Sequence, residues 1–213
     1  MKHITSQDLT QLDRFYRGNL INSVTGFKSA NLLATRSKNG VDNVAIFSSV
    51  THIGSDPAMF SFVQRPLGHG VGHTYMNLKE TGKITLNHIN LEIVNKAHQS
   101  SSKYSESTSE FEELGIKKLQ RHGFTAPFVK NATIQVAADY VNEYYLEENK
   151  CILVICKITD VFFLEEIQHE DGWLNLEKAR TVAINGLDGY ASARVEKRLT
   201  YAKVDQPLKE INF

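Results

Sequence analysis

The sequence predicts a mainly β protein: antiparallel strands with a few short helices at their margin, in one compact domain spanning residues 1–213. Three observations carry that expectation. β-rich runs recur along the chain, at Ala30–Thr35, Val41–Ser49, Ala58–Val63, Lys83–Ile89, Ala132–Val141 and Lys150–Leu164. Ser37-Lys38-Asn39-Gly40 separates the first two as a hairpin turn, because Asn-Gly tolerates the positive φ angles of a type I′ turn. A strand–turn–strand this early argues for a meander of neighbouring strands and against a βαβ unit. At 213 residues an all-β barrel is commonly a single domain, and no repeat, low-complexity tract or linker interrupts the chain.

The elements follow in order. Thr5–Arg17 places Leu9, Leu12, Phe15 and Tyr16 at roughly helical spacing and predicts a short N-terminal helix. Gly18–Phe27, with Leu20, Ile21 and Val24, predicts a first strand and turn. Asp56-Pro57 breaks the chain before Ala58–Val63. Thr74 can cap a helix running through Glu80, with Gly82 just beyond its end, where a left-handed residue costs little. Asn95–Ser109 is polar and serine-rich and predicts a loop carrying His98 and Tyr104. Ser109-Glu110-Phe111-Glu112 reads as a capping box opening a helix that ends near Gly115. The runs on either side of Glu147-Glu148-Asn149-Lys150 are expected to pair. Asp171-Gly172 is a turn, Leu174–Ala179 a helical turn, and Thr181–Ile184 the last short strand before a polar tail marked by Tyr190 and Tyr201.

Composition narrows the function. Lys plus Arg and Asp plus Glu each number 24, so no bulk field draws the chain to nucleic acid or to an anionic membrane. The start of the chain lacks the apolar core of a signal peptide, and no apolar run reaches membrane-spanning length. Cys151 and Cys156 lie five apart on one strand, which sets them on opposite faces; free thiols in a reducing, cytoplasmic setting are the expectation.

The stretch from Asn43 to Asn87 carries the chemistry. Ser48, Ser49 and Thr51 follow a strand and can turn hydroxyls toward an anion, although Ser-Ser-x-Thr also occurs in ordinary loops. Arg65, held ahead of Pro66, can grip a phosphate in bidentate fashion or sit as a plain surface charge. Thr74 at a helix start would bring backbone N–H groups and the positive end of the helix dipole to the same anion, or act as a cap alone. Gly68-His69-Gly70-Val71-Gly72 is not a dinucleotide fingerprint, since its spacing is wrong and the βαβ context is missing. His69 and His73 lie four apart, but the flanking glycines disfavour the helix that would make them ligands. The other histidines lack ligand spacing, so no metal site is predicted. No Gly-x-Ser-x-Gly elbow appears.

An order of motifs then resembles the flavin reductase-like family, whose members bind FMN in a split β-barrel. Ala30-Asn31-Leu32-Leu33-Ala34-Thr35 and Asn43-Val44-Ala45-Ile46-Phe47-Ser48-Ser49 come first, then Asp56-Pro57. His73-Thr74-Tyr75-Met76-Asn77 and Thr81-Gly82-Lys83-Ile84-Thr85-Leu86-Asn87 follow, then Ser109-Glu110-Phe111-Glu112 before Gly115. Gly186-Leu187-Asp188-Gly189-Tyr190 and Arg198-Leu199-Thr200-Tyr201-Ala202 are similar to the flavoredoxin-type branch. The resemblance implies a split β-barrel of antiparallel Greek-key type and an FMN site near a homodimer interface. Phe47, Ser48, Ser49, Val50 and Thr51 would hold the ring edge and ribityl chain, and Arg65, His73, Thr74 and Asn77 would surround the phosphate. The loop of His98 and Tyr104, with the C-terminal tyrosines, would cover the ring. Many relatives carry a basic residue where this chain has His73, which is only partly charged at neutral pH, so Arg65 would carry more of the phosphate affinity. The implied activity is hydride acceptance from NADH or NADPH on bound flavin, with electrons passed to free flavin or another small acceptor. The alternative is a non-enzymatic FMN carrier serving a protein partner.

Overall fold

The computed structural model describes residues 1–66 and 72–213. A seven-stranded antiparallel sheet runs in the order β3-β2-β6-β9-β10-β5-β4. Its strands are β2 (Asn31–Arg36), β3 (Asp42–Phe47), β4 (Thr51–Ser55), β5 (Ala58–Gln64), β6 (Lys83–His88), β9 (Ile134–Leu146) and β10 (Cys151–Phe163). The two edge strands, β3 and β4, are consecutive in the chain and joined by residues 48–50 alone. The sheet therefore curls until its edges meet at that linker, which is the split of the barrel. Three-stranded β1-β11-β12 (Lys28–Ser29, Val182–Asn185, Gly189–Ser192) and the small ladder of β7 with β8 (Lys118–Leu119, Phe128–Val129) complete the β structure.

β2 explains the layering. Asn31 through Thr35 are buried without alternation, as in a strand covered on both faces. On one face Leu33 joins Phe60, Phe62, Leu78, Ile84, Leu86, Val136 and Val154 inside the barrel, closed by α3 (His73–Thr81). On the other face Leu32 and Ala34 pack with Val44, Ile89, Ala97, Phe111 and Val182 beneath α4 (Val94–Gln99) and α5 (Glu110–Glu113). The hairpin of β9 and β10 pairs Leu146 with Cys151, as the acidic turn predicts, and bulges between Ile155 and Cys156 and between Ile158 and Asp160. Both cysteines are free, and burial pushes the Cys156 thiol up to about 12, leaving it inert at neutral pH.

Several local expectations are corrected. The N-terminus forms two helices, α1 (Ser6–Gln11) and α2 (Arg14–Val24), where Gly18–Phe27 was expected to start a strand. The Asp13 carboxylate accepts from the backbone N–H groups of Phe15 and Tyr16, and this cap carries the helix across Gly18. The β2–β3 hairpin is present, but not with a type I′ turn. Ser37 and Val41 pair across three residues, and only Gly40 has positive φ (+82°), the geometry of a three-residue loop. β4 begins at Thr51, the last residue of the expected hydroxyl-bearing turn, and β12 follows the strand expected to be last. His98 stands on α4 and not on a loop. Ser109 is the N-cap of α5 by position, yet its side chain makes no capping bond, so the capping box does not form.

Candidate functional site

The site grows from β3, an edge strand whose outer N–H groups need partners. At its start, Asn43 Nδ2 donates to Thr74 Oγ1 at 3.0 Å, and Asn77 Nδ2 donates to Thr35 Oγ1 at 3.2 Å. All four side chains are buried, so α3 is fastened onto β2 and β3 by two polar clasps. One residue further on, the Val44 N–H donates to Glu110 Oε2 at 3.2 Å, so α5 supplies a carboxylate that caps the open edge. Thr74 is therefore not the helix cap. Gly72 holds that position, and Thr74 and Asn77 spend their side chains on the sheet. Gly82 ends α3 with φ +70°, as the sequence predicts.

His73 opens α3. Its Nε2 is buried and, among the described residues, has no hydrogen-bond partner, and Ser109 Oγ, beside Glu110, is in the same condition. A buried donor left without an acceptor costs about 1–3 kcal/mol, so two such atoms flanking one strand edge are unusual. Burial raises the Glu110 carboxyl above its ordinary value, while backbone N–H bonds, that of Val44 among them, and the charge of His73 pull it down. The structure thus gathers His73, Ser109 and Glu110 around Asn43–Val44.

At the other end of β3 sits the linker. Phe47, Ser48, Ser49 and Val50 are half-buried, and Phe47 meets Phe62 edge-on with ring centres 5.3 Å apart. Ser49 Oγ accepts from the Val63 N–H at 3.1 Å and donates to the Val63 carbonyl at 3.3 Å. Its hydroxyl therefore continues the β4–β5 ladder by one side-chain step where backbone pairing stops at Thr51. Of the three hydroxyls expected to face an anion, Ser49 is occupied and Thr51 is an exposed strand residue. Ser49→Ala should lower stability by roughly 1–2 kcal/mol, because the Val63 peptide loses both contacts; urea unfolding measures this, and an unchanged midpoint would show that water replaces the hydroxyl.

Arg65 lies two residues past Val63, beside this linker; it is exposed, and among the described residues its guanidinium has no ion pair. The rest of the glycine loop, residues 68–71 with His69, lies outside the described residues. His98 Nδ1 and Tyr190 Oη are 3.0 Å apart with their rings at right angles, facing an open hollow of about 350 Å³ shared with Asn95 and Asp188. His98 and Tyr190, both expected to lie over the ring, here bond to each other, whereas Tyr104 is half-buried and Tyr201 is almost fully exposed. Burial, aided by the Asp188 charge, raises the Tyr190 phenol above its usual value, so it stays protonated at neutral pH. Asn43, Ser109 and Glu110 were missed as site residues. Only proximity across the fold reveals them, since an acid opening a helix reads as a dipole partner.

A family model described as the flavin reductase like domain matches residues 26–185. No protein of curated function matches the chain. Among solved structures, one provisionally described as a flavin reductase with a split barrel domain, from Shewanella frigidimarina NCIMB 400, is 37% identical. It covers 95% of this chain and 100% of its own, with a TM-score of 0.91. Nitrilotriacetate monooxygenase component B from Bacillus cereus is similar in fold, at 18% identity, 93% and 98% coverage and TM-score 0.81. Flavoredoxin of Desulfovibrio vulgaris (Miyazaki F) follows at 18% identity, 84% and 91% coverage and TM-score 0.67.

Proposed function

The chain belongs to the flavin reductase-like family, and from that premise we propose that it binds FMN and works as an NADH- or NADPH-dependent oxidoreductase. The observation that carries the cofactor reading is the buried His73 Nε2 at the first residue of α3, unpartnered among the described residues. An imidazole nitrogen and free helix N–H groups form a donor set suited to a phosphate monoester. β3 connects this end to the linker. From Asn43, clasped to Thr74, to Ser48 is five residues, roughly 17 Å of strand. A phosphate near His73 with the ring near Ser48–Val50 would lay the ribityl chain along that edge.

In this reading FMN, when bound, supplies the hydride acceptance and electron transfer. The chain's own groups bind and orient. Backbone groups of Ser48 and Val50 address the ring edge, Arg65 adds a guanidinium, and the half-buried Phe47 excludes water from beneath the linker. No general base is required for hydride acceptance. A second copy would cover Phe15 and Val24 of α2 and the following Phe27, which are 77%, 67% and 67% exposed, and a homodimer is part of the proposal.

Purified protein should carry or take up FMN with a yellow, protein-shifted spectrum, and anaerobic NADH or NADPH should bleach it rapidly. Bleaching only by a protein donor would favour the electron-carrier reading, and failure to bind flavin would refute both. Arg65→Ala should weaken FMN on the order of tenfold to a hundredfold and leave riboflavin nearly unchanged, since a charge-assisted hydrogen bond to phosphate is lost. Equal losses for the two ligands in fluorescence titrations would place Arg65 away from the phosphate.

A further inference from the structure

The geometry points to the His73–Glu110 pair as a proton-linked element of the phosphate site, through which FMN binds with uptake of a proton while riboflavin does not. This rests on the flavin reading and adds a residue and a linkage to it. Thr74, next to His73, is clasped to Asn43, and Glu110 caps the following residue, Val44. The imidazole and the carboxyl therefore approach the same two-residue stretch of the β3 edge, from α3 and α5 respectively, near enough for the charge of His73 to act on Glu110. His73 Nε2 and Ser109 Oγ are both buried without a hydrogen-bond partner among the described residues, the condition that an added oxyanion would relieve.

The carboxyl makes that site conditional. A phosphate placed beside a buried carboxylate puts like charges together where water screens little, and one added proton removes the conflict. Glu110 is 4% exposed, and burial already favours its neutral form. Other charges are accounted for. Asp42 on β3 is held by Arg36 at 2.6 Å and by Lys118 of β7 at 2.5 Å. Lys96 of α4 donates to the Gly115 carbonyl at 2.7 Å, and His98 bonds to Tyr190. His73 is the titratable group whose charge acts on Glu110.

The test compares FMN with riboflavin by flavin fluorescence quenching from about pH 6 to pH 8. A single linked proton changes affinity by up to about tenfold per pH unit. The wild type should lose FMN affinity as pH rises, with riboflavin flat. Glu110→Gln, which can still accept from the Val44 N–H, should bind FMN more tightly at high pH and show a shallower slope. If Glu110→Gln does not fold, calorimetry of the wild type in buffers of different ionisation enthalpy supplies the same answer: a greater proton uptake per FMN than per riboflavin supports the linkage. Equal uptake, or identical slopes in wild type and variant, overturns it. Riboflavin binding with a pH-flat FMN affinity defeats this inference alone, whereas no binding of either flavin defeats the functional reading as well.

Discussion

Replacing Phe62 with alanine should destabilise the protein by about 3–5 kcal/mol, the usual cost of emptying an aromatic site in a packed core. Phe62 has no solvent exposure and pairs across β10 with Val154, which is equally buried. Its neighbours lie on five different elements of the barrel, so no single segment can move in to fill the space. The same ring is the edge-on partner of Phe47, the last residue of β3. An aromatic pair of this kind adds roughly 0.5–1.5 kcal/mol beyond burial, and here it fixes where the linker begins. Two losses are therefore expected. Denaturant midpoints should fall sharply with little change in slope, and flavin affinity should fall in protein that is still folded. A loss below about 1 kcal/mol would mean that the barrel interior collapses around the smaller side chain. Retained flavin affinity would mean that Ser48–Val50 are held by the Ser49–Val63 bonds alone.

Much of the barrel is legible in the sequence because its strands carry their own signals. Leu32-Leu33-Ala34 and Ile84-Thr85-Leu86 are short apolar runs with turn residues at their ends, and Asn39-Gly40 announces a hairpin. The turn type is another matter. Asn39 stays right-handed because the loop closes over three residues, a choice made by the pairing of Ser37 with Val41 and not by the dipeptide. β4 was hidden because Thr51-His52-Ile53-Gly54-Ser55 is exposed almost throughout and has no apolar face to alternate. α2 was hidden for the opposite reason. Its apolar residues suggest a strand core, yet none is buried, and a single cap at Asp13 decides the conformation.

The candidate site was legible as a region and not as a set of contacts. Residue type placed hydroxyls at 48–51 and a helix start near 74, and both are there. Which hydroxyl is free depends on partners far along the chain: Ser49 is bound by Val63, Thr74 by Asn43 and Asn77 by Thr35. The same clasps tie α3 to the sheet, so the residues expected to touch phosphate instead set the helix whose first residue, His73, presents an unpartnered nitrogen. Glu110 is the clearest case. A glutamate is rarely buried without compensation, and only the open edge of β3, a tertiary feature, gives this one its partner.

His88 should make the protein lose stability in mild acid. It ends β6 on the face shared by Ile84 and Leu86, and its strand partner is the buried Asn31. Among the described residues no hydrogen bond or carboxylate supports its charged form, and burial pushes its pKa down to about 4. An unfolded chain would bind a proton at this histidine near pH 6.5. Above that pH the ring is neutral in both states and stability is unaffected. As pH falls from about 6.5 toward 4, the unfolded state takes up the proton first, so stability drops by about 1.4 kcal/mol per pH unit at most. The full span has a ceiling of about 3 kcal/mol, and residual solvent contact at the strand end trims it to roughly 2 kcal/mol. Carboxylates of ordinary pKa titrate below about pH 5, and the buried Glu110 is common to wild type and variant, so comparing the two by urea unfolding between about pH 6.5 and pH 5 isolates the histidine. His88→Leu, a residue of similar bulk with no proton to gain, should flatten the curve in that window and leave the neutral-pH stability equal or higher. Parallel curves for the two proteins would mean that the folded ring accepts its proton freely, and that the β2–β6 end of the barrel is open to water.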